Sequence, residues 1–443
     1  MLNTHTILHI DNLSLVMMGL VGFVALCVIS FSYRYLDGDT KQPSFYRNLI
    51  GMVLAVYLMV SADHIILMLG SWVASNLFLS RLMRHKKQWR AAKQSYFIAL
   101  MNFGVGFIFL STALCLLYAI TGETSIQGIL KTTIETPWLM SCSLLILLAA
   151  MTQSSLWPFH TWLTSSLNSP TPVSAIMHAG LVNGGGYLLA RFSPLLSEQL
   201  FVLNIIFLAG IMTALLGTLW KLMQSDIKRM LACSTMGQMG FMIAQCGLGL
   251  FPAAIAHLCW HGLFKAYLFF ASGSAAQEKR LDLDYPPSLK CFLTALLCGL
   301  CGSYMFSFVS NKDPLALNTT CFLVILAIIS GTQFALPIVR SQLKAKFLIA
   351  FIATTFMGSF YGMSVHFIEL ALAPLNLSKI VPLNALHILA LFILVFAWLS
   401  ILLGRRPVKR TIPNWLVKAY VYMLNASQPH PKTITVHHNH YQF

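Results

Sequence analysis

His257, His261 and Lys265 stand four residues apart within residues 252–274, an otherwise apolar run. On a helix of 3.6 residues per turn, such positions share one face. The run is long enough to cross a bilayer. The chain therefore sets a stripe of three protonatable groups inside a membrane span. A charge at mid-membrane costs about 2.5–3.5 kcal/mol on insertion scales, so such residues face protein, a cavity or an ion pathway. For any one of them, a hydrogen bond to a neighbouring helix is a sufficient structural role. The aligned set suits proton passage. Histidine changes charge near neutrality, and its two ring nitrogens let it accept on one side and donate on the other.

Two further polar pairs stand near apolar runs. Asp226 and Lys228 open the span before the His/His/Lys stripe, where an ion pair at the membrane boundary is expected ahead of a transport role. His366 and Glu369 lie in residues 347–370, on neighbouring faces of a helix. They serve either as an accessory acidic group on an exit path or as a helix-end pair at the outer interface.

These groups need a membrane scaffold. Of 443 residues, 57% are hydrophobic and only 9% charged, more apolar surface than a soluble domain of this length can cover. The apolar runs are long and do not alternate, which excludes a β-barrel. The expected fold is an all-α polytopic bundle of roughly 13 spans, with at least one broken helix. The spans fall near residues 14–33, 45–62, 64–83, 96–119, 138–157, 173–192, 199–221, 231–250, 253–275, 290–309, 320–339, 347–370 and 384–403. Residues 1–403 form the transmembrane domain and residues 404–443 a basic tail.

The net charge of +16 follows topology. Loops after odd-numbered spans hold nearly all Lys and Arg, from Arg34, Lys41 and Arg47 through the cluster Arg81, Arg84, Lys86, Lys87, Arg90 and Lys93. Lys221, Lys228, Arg229, Lys279, Arg280, Arg340 and Lys344 continue the pattern, and Arg405, Arg406, Lys409 and Arg410 end it in the tail. Even-numbered loops hold only Lys131, Arg191, Lys312 and Lys379. This asymmetry predicts a cytoplasmic C-terminus and an N-terminus outside. Anionic lipid accounts for the basic charge and leaves none for nucleic acid. The ten cysteines form no CxxC pair and read as small apolar residues. The first apolar segment follows His9, Asp11 and Asn12 rather than a basic region, and is expected to be a retained span. His437, His438 and His440 read as a frayed tail or a metal-binding cluster.

Trp157-Pro158-Phe159-His160 interrupts an apolar run, and Asn168-Ser169-Pro170-Thr171-Pro172 follows closely. Proline removes a backbone donor and clashes with the preceding turn. The stretch is either a broken helix lining an ion site or a loop between two spans.

Trp157-Pro158-Phe159-His160-Thr161-Trp162-Leu163, Ser169-Pro170-Thr171-Pro172-Val173-Ser174-Ala175-Ile176-Met177-His178-Ala179 and Asp226-Ile227-Lys228-Arg229-Met230-Leu231-Ala232 lead in order to His257, His261 and Lys265. This succession resembles the proton-conducting membrane subunits shared by respiratory complex I and Mrp-type antiporters, over about residues 10–280. Asp11-Asn12-Leu13-Ser14-Leu15 resembles the family's third span, so the first two are expected to be missing. The stretch from His178-Ala179-Gly180 to Asn183-Gly184-Gly185-Gly186 looks more like the DabB-type membrane subunits of inorganic-carbon transporters. That resemblance implies a large zinc-bearing cytoplasmic partner of the DabA type, H+ or Na+ as the conducted ion, and a bacterial inner membrane. Any CO2 hydration would then reside in the partner, leaving this chain a non-enzymatic transport subunit without a cofactor or metal of its own. It also implies a proton path through Lys265, His261, His257, His178 and His160. The alternatives are a proton-translocating subunit of a quinone oxidoreductase, an Mrp-type antiporter subunit, or a non-conducting membrane anchor.

Three positions depart from the family pattern. Its lysine near the broken helix is Gln153 here, its paired glutamate falls on Trp72, and its acidic residue before Pro-Thr-Pro is Asn168. Asp63 is the nearest acidic residue to Trp72 and is expected to sit at an interface.

Overall fold

The computed structural model describes residues 7–273, 286–314, 316–377, 379–403 and 413–434. Lys279, Arg280, the basic positions 405–410 and His437 to His440 lie outside them.

Local chemistry sets most helix ends. The Asp11 carboxylate accepts from the Ser14 N–H at 2.9 Å and starts α1 (Asn12–Tyr35). Pro43, in the first turn of α2 (Gln42–Ser61), stands where no intrahelical donor is needed. His64 Nδ1 accepts from the Ile66 N–H at the start of α3 (Ile65–Met83). Gly122, with φ +69°, ends α4 (Arg90–Thr121) in the left-handed conformation that glycine adopts without penalty. The buried Asp63 carboxylate accepts from Ser125 Oγ at 2.7 Å and from the Gln127 N–H at 2.9 Å, fixing the start of α5 (Ile126–Lys131). Asp63 thus acts as a cap.

α6 (Thr136–Gln153) ends early, and α7 (Thr161–Thr164) is a single turn. α8 (Thr171–Ala179) has Pro172 in its first turn, a 3-10 turn covers Leu181–Asn183, and α9 (Gly184–Arg191) and α10 (Ser193–Leu196) follow. The stretch around Trp157 and Pro170 is therefore a connection between membrane segments. The discontinuity lies at Gly180–Asn183, inside the span expected at 173–192. Three successive glycines, Gly184 to Gly186, weaken helix propagation there. They also permit close approach, since a Cβ on Gly185 would sit 2.4 Å from the Ala150 carbonyl oxygen. Every residue of α8 and α9 is buried.

α11 (Leu200–Met223) and α12 (Ile227–Gly247) pack through small residues, and a Cβ on Gly217 would lie 2.4 Å from the Gly237 nitrogen. α13 is Phe251–Ala271, and α14 (Leu289–Val309), α15 (Thr320–Arg340), α16 (Lys346–Leu372) and α17 (Ala385–Leu403) follow. α18 is Asn414–Ala426. Among the described residues, ten helices, α1–α4, α6, α11 and α14–α17, are long and apolar enough to cross a membrane. α12 and α13 match them in length at 21 residues each but carry more polar side chains. With the broken segment α8–α9, these elements occupy the positions of the expected spans. The protein is an all-α, multi-span membrane protein.

The chain divides into two compact units. One contains α1–α12, α13 from His257 onward, and α18. In it α8 packs on α1, and α9 on α6 and α12. The other is built on α14–α17, where Ala295, Cys298, Ala335, Leu336, Val339, Ala350 and Leu402 form a core.

Candidate functional site

α13 carries the aligned stripe. The His257 and His261 rings are nearly parallel, 6.2 Å apart between centroids. Lys265 is 1% exposed, and its ammonium donates to the Leu231 carbonyl of α12 at 3.3 Å. Thr235 Oγ donates to the same carbonyl at 3.0 Å, and the hydroxyl lies 3.0 Å from His178 Nδ1. One turn of α12 thus joins Lys265 to His178, which lies in the last turn of α8 before the break. The His178 ring stacks on Phe269 at 4.5 Å. Nε2 of both His257 and His261 is buried without a protein hydrogen-bond partner. His178, His257 and Lys265 all lie within electrostatic reach of His261. Four of the five expected path residues therefore gather around α12, with His178, His261 and Lys265 buried and His257 half-buried.

His160 lies elsewhere. Its Nε2 is 3.4 Å from the Ala426 carbonyl, and its ring lies 4.8 Å from that of Trp220. Burial holds this imidazole below the usual histidine range despite its backbone contacts. His160 thus belongs to the seat of the segment after α18. That segment is fastened by Gln224 to Ser427 Oγ at 2.8 Å, Arg229 to Gln428 at 2.9 Å, the His430 N–H to Ser165 Oγ at 2.9 Å, and Asn168 to the Thr433 carbonyl at 3.0 Å.

The break at Gly180 frees backbone carbonyls that the bilayer cannot satisfy. Side chains at the end of α6 satisfy them. Gln153 Nε2 donates to the Leu181 carbonyl at 3.3 Å and Ser154 Oγ to that of Val182 at 2.7 Å. Asn183 Nδ2 reaches back to the Ala179 carbonyl at 2.7 Å.

Residues 62–290 match the family described as NADH:quinone oxidoreductase/Mrp antiporter, TM. The chain belongs to this antiporter-like family. Residues 1–46 match the complex I chain 5 N-terminus as well. The "Probable inorganic carbon transporter subunit DabB1" of Halothiobacillus neapolitanus is 36% identical over 281 residues, 62% of this chain and 50% of the relative. The "Probable inorganic carbon transporter subunit DabB" of Bacillus subtilis is 39% identical over 273 residues, 60% of this chain and 54% of the relative. The chain spans about half the length of these relatives. The Mrp complex from Dietzia sp. DQ12-45-1b contains a chain with the same fold, at TM-score 0.64 and 23% identity, over 94% of this chain and 52% of that one.

Gln153, where the family resemblance leads to an expected lysine, pairs with Asn76 through two reciprocal hydrogen bonds of 3.2 and 3.1 Å. Asn76 lies one helical turn beyond Trp72, which is fully buried with its indole nitrogen unpartnered. A neutral amide couple thus lies one turn from the position expected for the glutamate.

Two expected pairs are not formed. Lys228 donates to the Ser169 carbonyl at 3.2 Å, while Asp226 accepts from the Arg229 N–H at 2.9 Å and starts α12. Asp226 favours this role because a carboxylate three residues ahead of a free N–H at a helix start is a ready cap. Glu369 pairs with Lys312, and nothing links it to His366. Glu369 stands in the last turn of α16, so its carboxylate reaches the loop after α14.

Arg191 was legible only as a loop charge. It is 6% exposed, and its guanidinium pairs with Asp11 through both nitrogens. It also donates to Tyr187 Oη at 3.2 Å, Ser14 Oγ at 3.0 Å and the Val60 carbonyl at 3.2 Å. Burial works against the Asp11 carboxylate, but Arg191 and the Ser14 hydrogen bonds still hold it below its usual range. A lone Arg closing a glycine-rich segment and a lone Asp opening a span were the available signals. No group of three or more metal-ligating side chains able to hold an ion occurs among the described residues.

Proposed function

We propose that this chain is the ion-conducting membrane subunit of an inorganic-carbon uptake complex, with protons as the conducted ion. The observation that carries this reading is the group of Lys265, His261, His257 and His178, all but His257 buried, with Lys265 and His178 joined across α12 by Thr235 and the Leu231 carbonyl. Titratable groups within membrane helices are costly, and those that are kept mark ion pathways. The His257 and His261 rings stack nearly parallel with centroids 6.2 Å apart, which sets the two imidazoles side by side along the stripe. The likeness to DabB-type subunits favours carbon uptake over redox pumping, and the neutral Asn76–Gln153 couple points the same way.

In this reading the basic ends of the bundle face the cytoplasm of a bacterial cell. A large zinc-bearing cytoplasmic protein of the DabA type holds the metal and hydrates CO2 one way to bicarbonate. One charge crossing 100 mV releases about 2.3 kcal/mol. That gain biases the partner only if passage is coupled to the partner's conformation or protonation. His178 links the stripe to the broken helix, so movement at Gly180–Asn183 is the natural point of coupling.

The test is gentle solubilisation of the tagged chain, with identification of what co-purifies and a zinc assay. A single large zinc protein is expected. Quinone-oxidoreductase or multi-subunit antiporter components would overturn the carbon-uptake reading.

A further inference from the structure

The ends of α2, α3 and α4 enclose a cleft of about 580 Å³ that the relay does not use. Five cationic side chains line it: Lys41 and Arg47 from the start of α2, Arg81 and Arg84 from the end of α3, and Lys87 from the loop to α4. No carboxylate lines it. The nearest acid in sequence, Asp39, is already taken by His85 Nε2 at 2.8 Å. None of the five cations has an ion-pair partner among the described residues.

Like charges around one cavity repel, and the repulsion grows as water is excluded. A counter-anion relieves it. Arg84 is the most committed of the set. Its Nε is buried without a partner, and its guanidinium is held over the Tyr96 ring at 5.6 Å. The planar guanidinium, fixed by this stacking, keeps its terminal N–H donors in the geometry that matches a phosphate oxygen fork. Arg81 is similarly set over the Phe78 ring at 5.8 Å. Phe45, Phe78 and Leu82 complete the wall. On the adjoining helices, Ile50, Leu54 and Phe97 are exposed, an apolar surface on which acyl chains can lie.

We infer that this cleft binds a phosphate-bearing anion, with the phosphodiester headgroup of an anionic membrane lipid as its expected source. A basic recess between helix ends is the arrangement that holds such headgroups. The inference does not depend on which ion the relay conducts.

The test is native mass spectrometry of the full chain, titrated with phosphatidylglycerol, phosphatidylethanolamine and inorganic phosphate. Phosphatidylglycerol is expected to be retained in preference to phosphatidylethanolamine. R81Q/R84Q should weaken that retention by more than tenfold, about fivefold per charge removed. R81K/R84K, which keeps the charge but loses the paired donors, should fall between wild type and R81Q/R84Q, and R47Q/K87Q on the rim gives a second reading if the first variant folds poorly. Failure of millimolar inorganic phosphate to compete assigns the site to the lipid headgroup. Full competition assigns it to soluble phosphate, within the same chemistry. Equal retention of both lipids, or no loss in R81Q/R84Q and R47Q/K87Q, would overturn the inference.

Discussion

Gln153 and Asn76 exchange two side-chain hydrogen bonds across 77 residues of sequence, at 3.1 and 3.2 Å. Gln153 also donates to the Leu181 carbonyl at the helix break. A neutral amide couple therefore stands beside the interrupted helix, with Gln153 where the family resemblance leads to an expected lysine and Asn76 one turn from Trp72, where it leads to an expected glutamate. Amides keep the couple hydrogen-bonded without a desolvated charge.

Gln153→Ala leaves Asn76 and the Leu181 carbonyl short of partners. Each buried unsatisfied group costs about 1–3 kcal/mol. A lower thermal unfolding temperature in detergent is expected, measured against wild type. Gln153→Lys should be worse, and N76E/Q153K should recover part of the loss. Equal stability of Gln153→Lys and wild type would mean that the couple is not sequestered.

Arg191→Ala strands the buried Asp11 carboxylate. Breaking one side of a buried ion pair costs about 3–5 kcal/mol. D11N/R191Q, which removes both charges, should be milder than either single change. An Arg191→Ala protein as stable as wild type would contradict the pairing.

His160 predicts a pH response at the seat of α18. Burial lowers its pKa in the folded protein, so the folded state favours the neutral ring. Docking is then at full strength above the free-histidine value of about 6.5 and weakens as pH falls below it toward the lowered value. Hydrogen-exchange protection of residues 427–433, taken relative to the intrinsic rate at each pH, should fall between pH 8 and pH 5.5, and His160→Gln should abolish the change. Protection that stays constant with pH in wild type would sink this prediction.

The spans and the helical register of His257, His261 and Lys265 were legible because apolar length and a 3.6-residue period are local signals. The break at Gly180 was only half legible. Pro158 and Pro170 drew attention to the preceding connection, while the glycine run at Gly184 carried the signal for the true discontinuity. The couples Asn76–Gln153 and Asp11–Arg191 were not legible, since no period encodes partners 77 and 180 residues apart. The docked segment after α18 was hidden for another reason. Its composition is polar, and it is held by individual hydrogen bonds such as Asn168 to Thr433, not by an apolar face. Asp226 and Lys228 show the converse error, where adjacent opposite charges suggest a pair but each finds a backbone group first.

The central claim is that ion passage runs through Lys265. Its most direct test is inorganic-carbon uptake by cells carrying Lys265→Ala, with assembly of the complex checked by co-purification. The relay predicts uptake at background with assembly intact. Normal uptake by an assembled Lys265→Ala complex would contradict it.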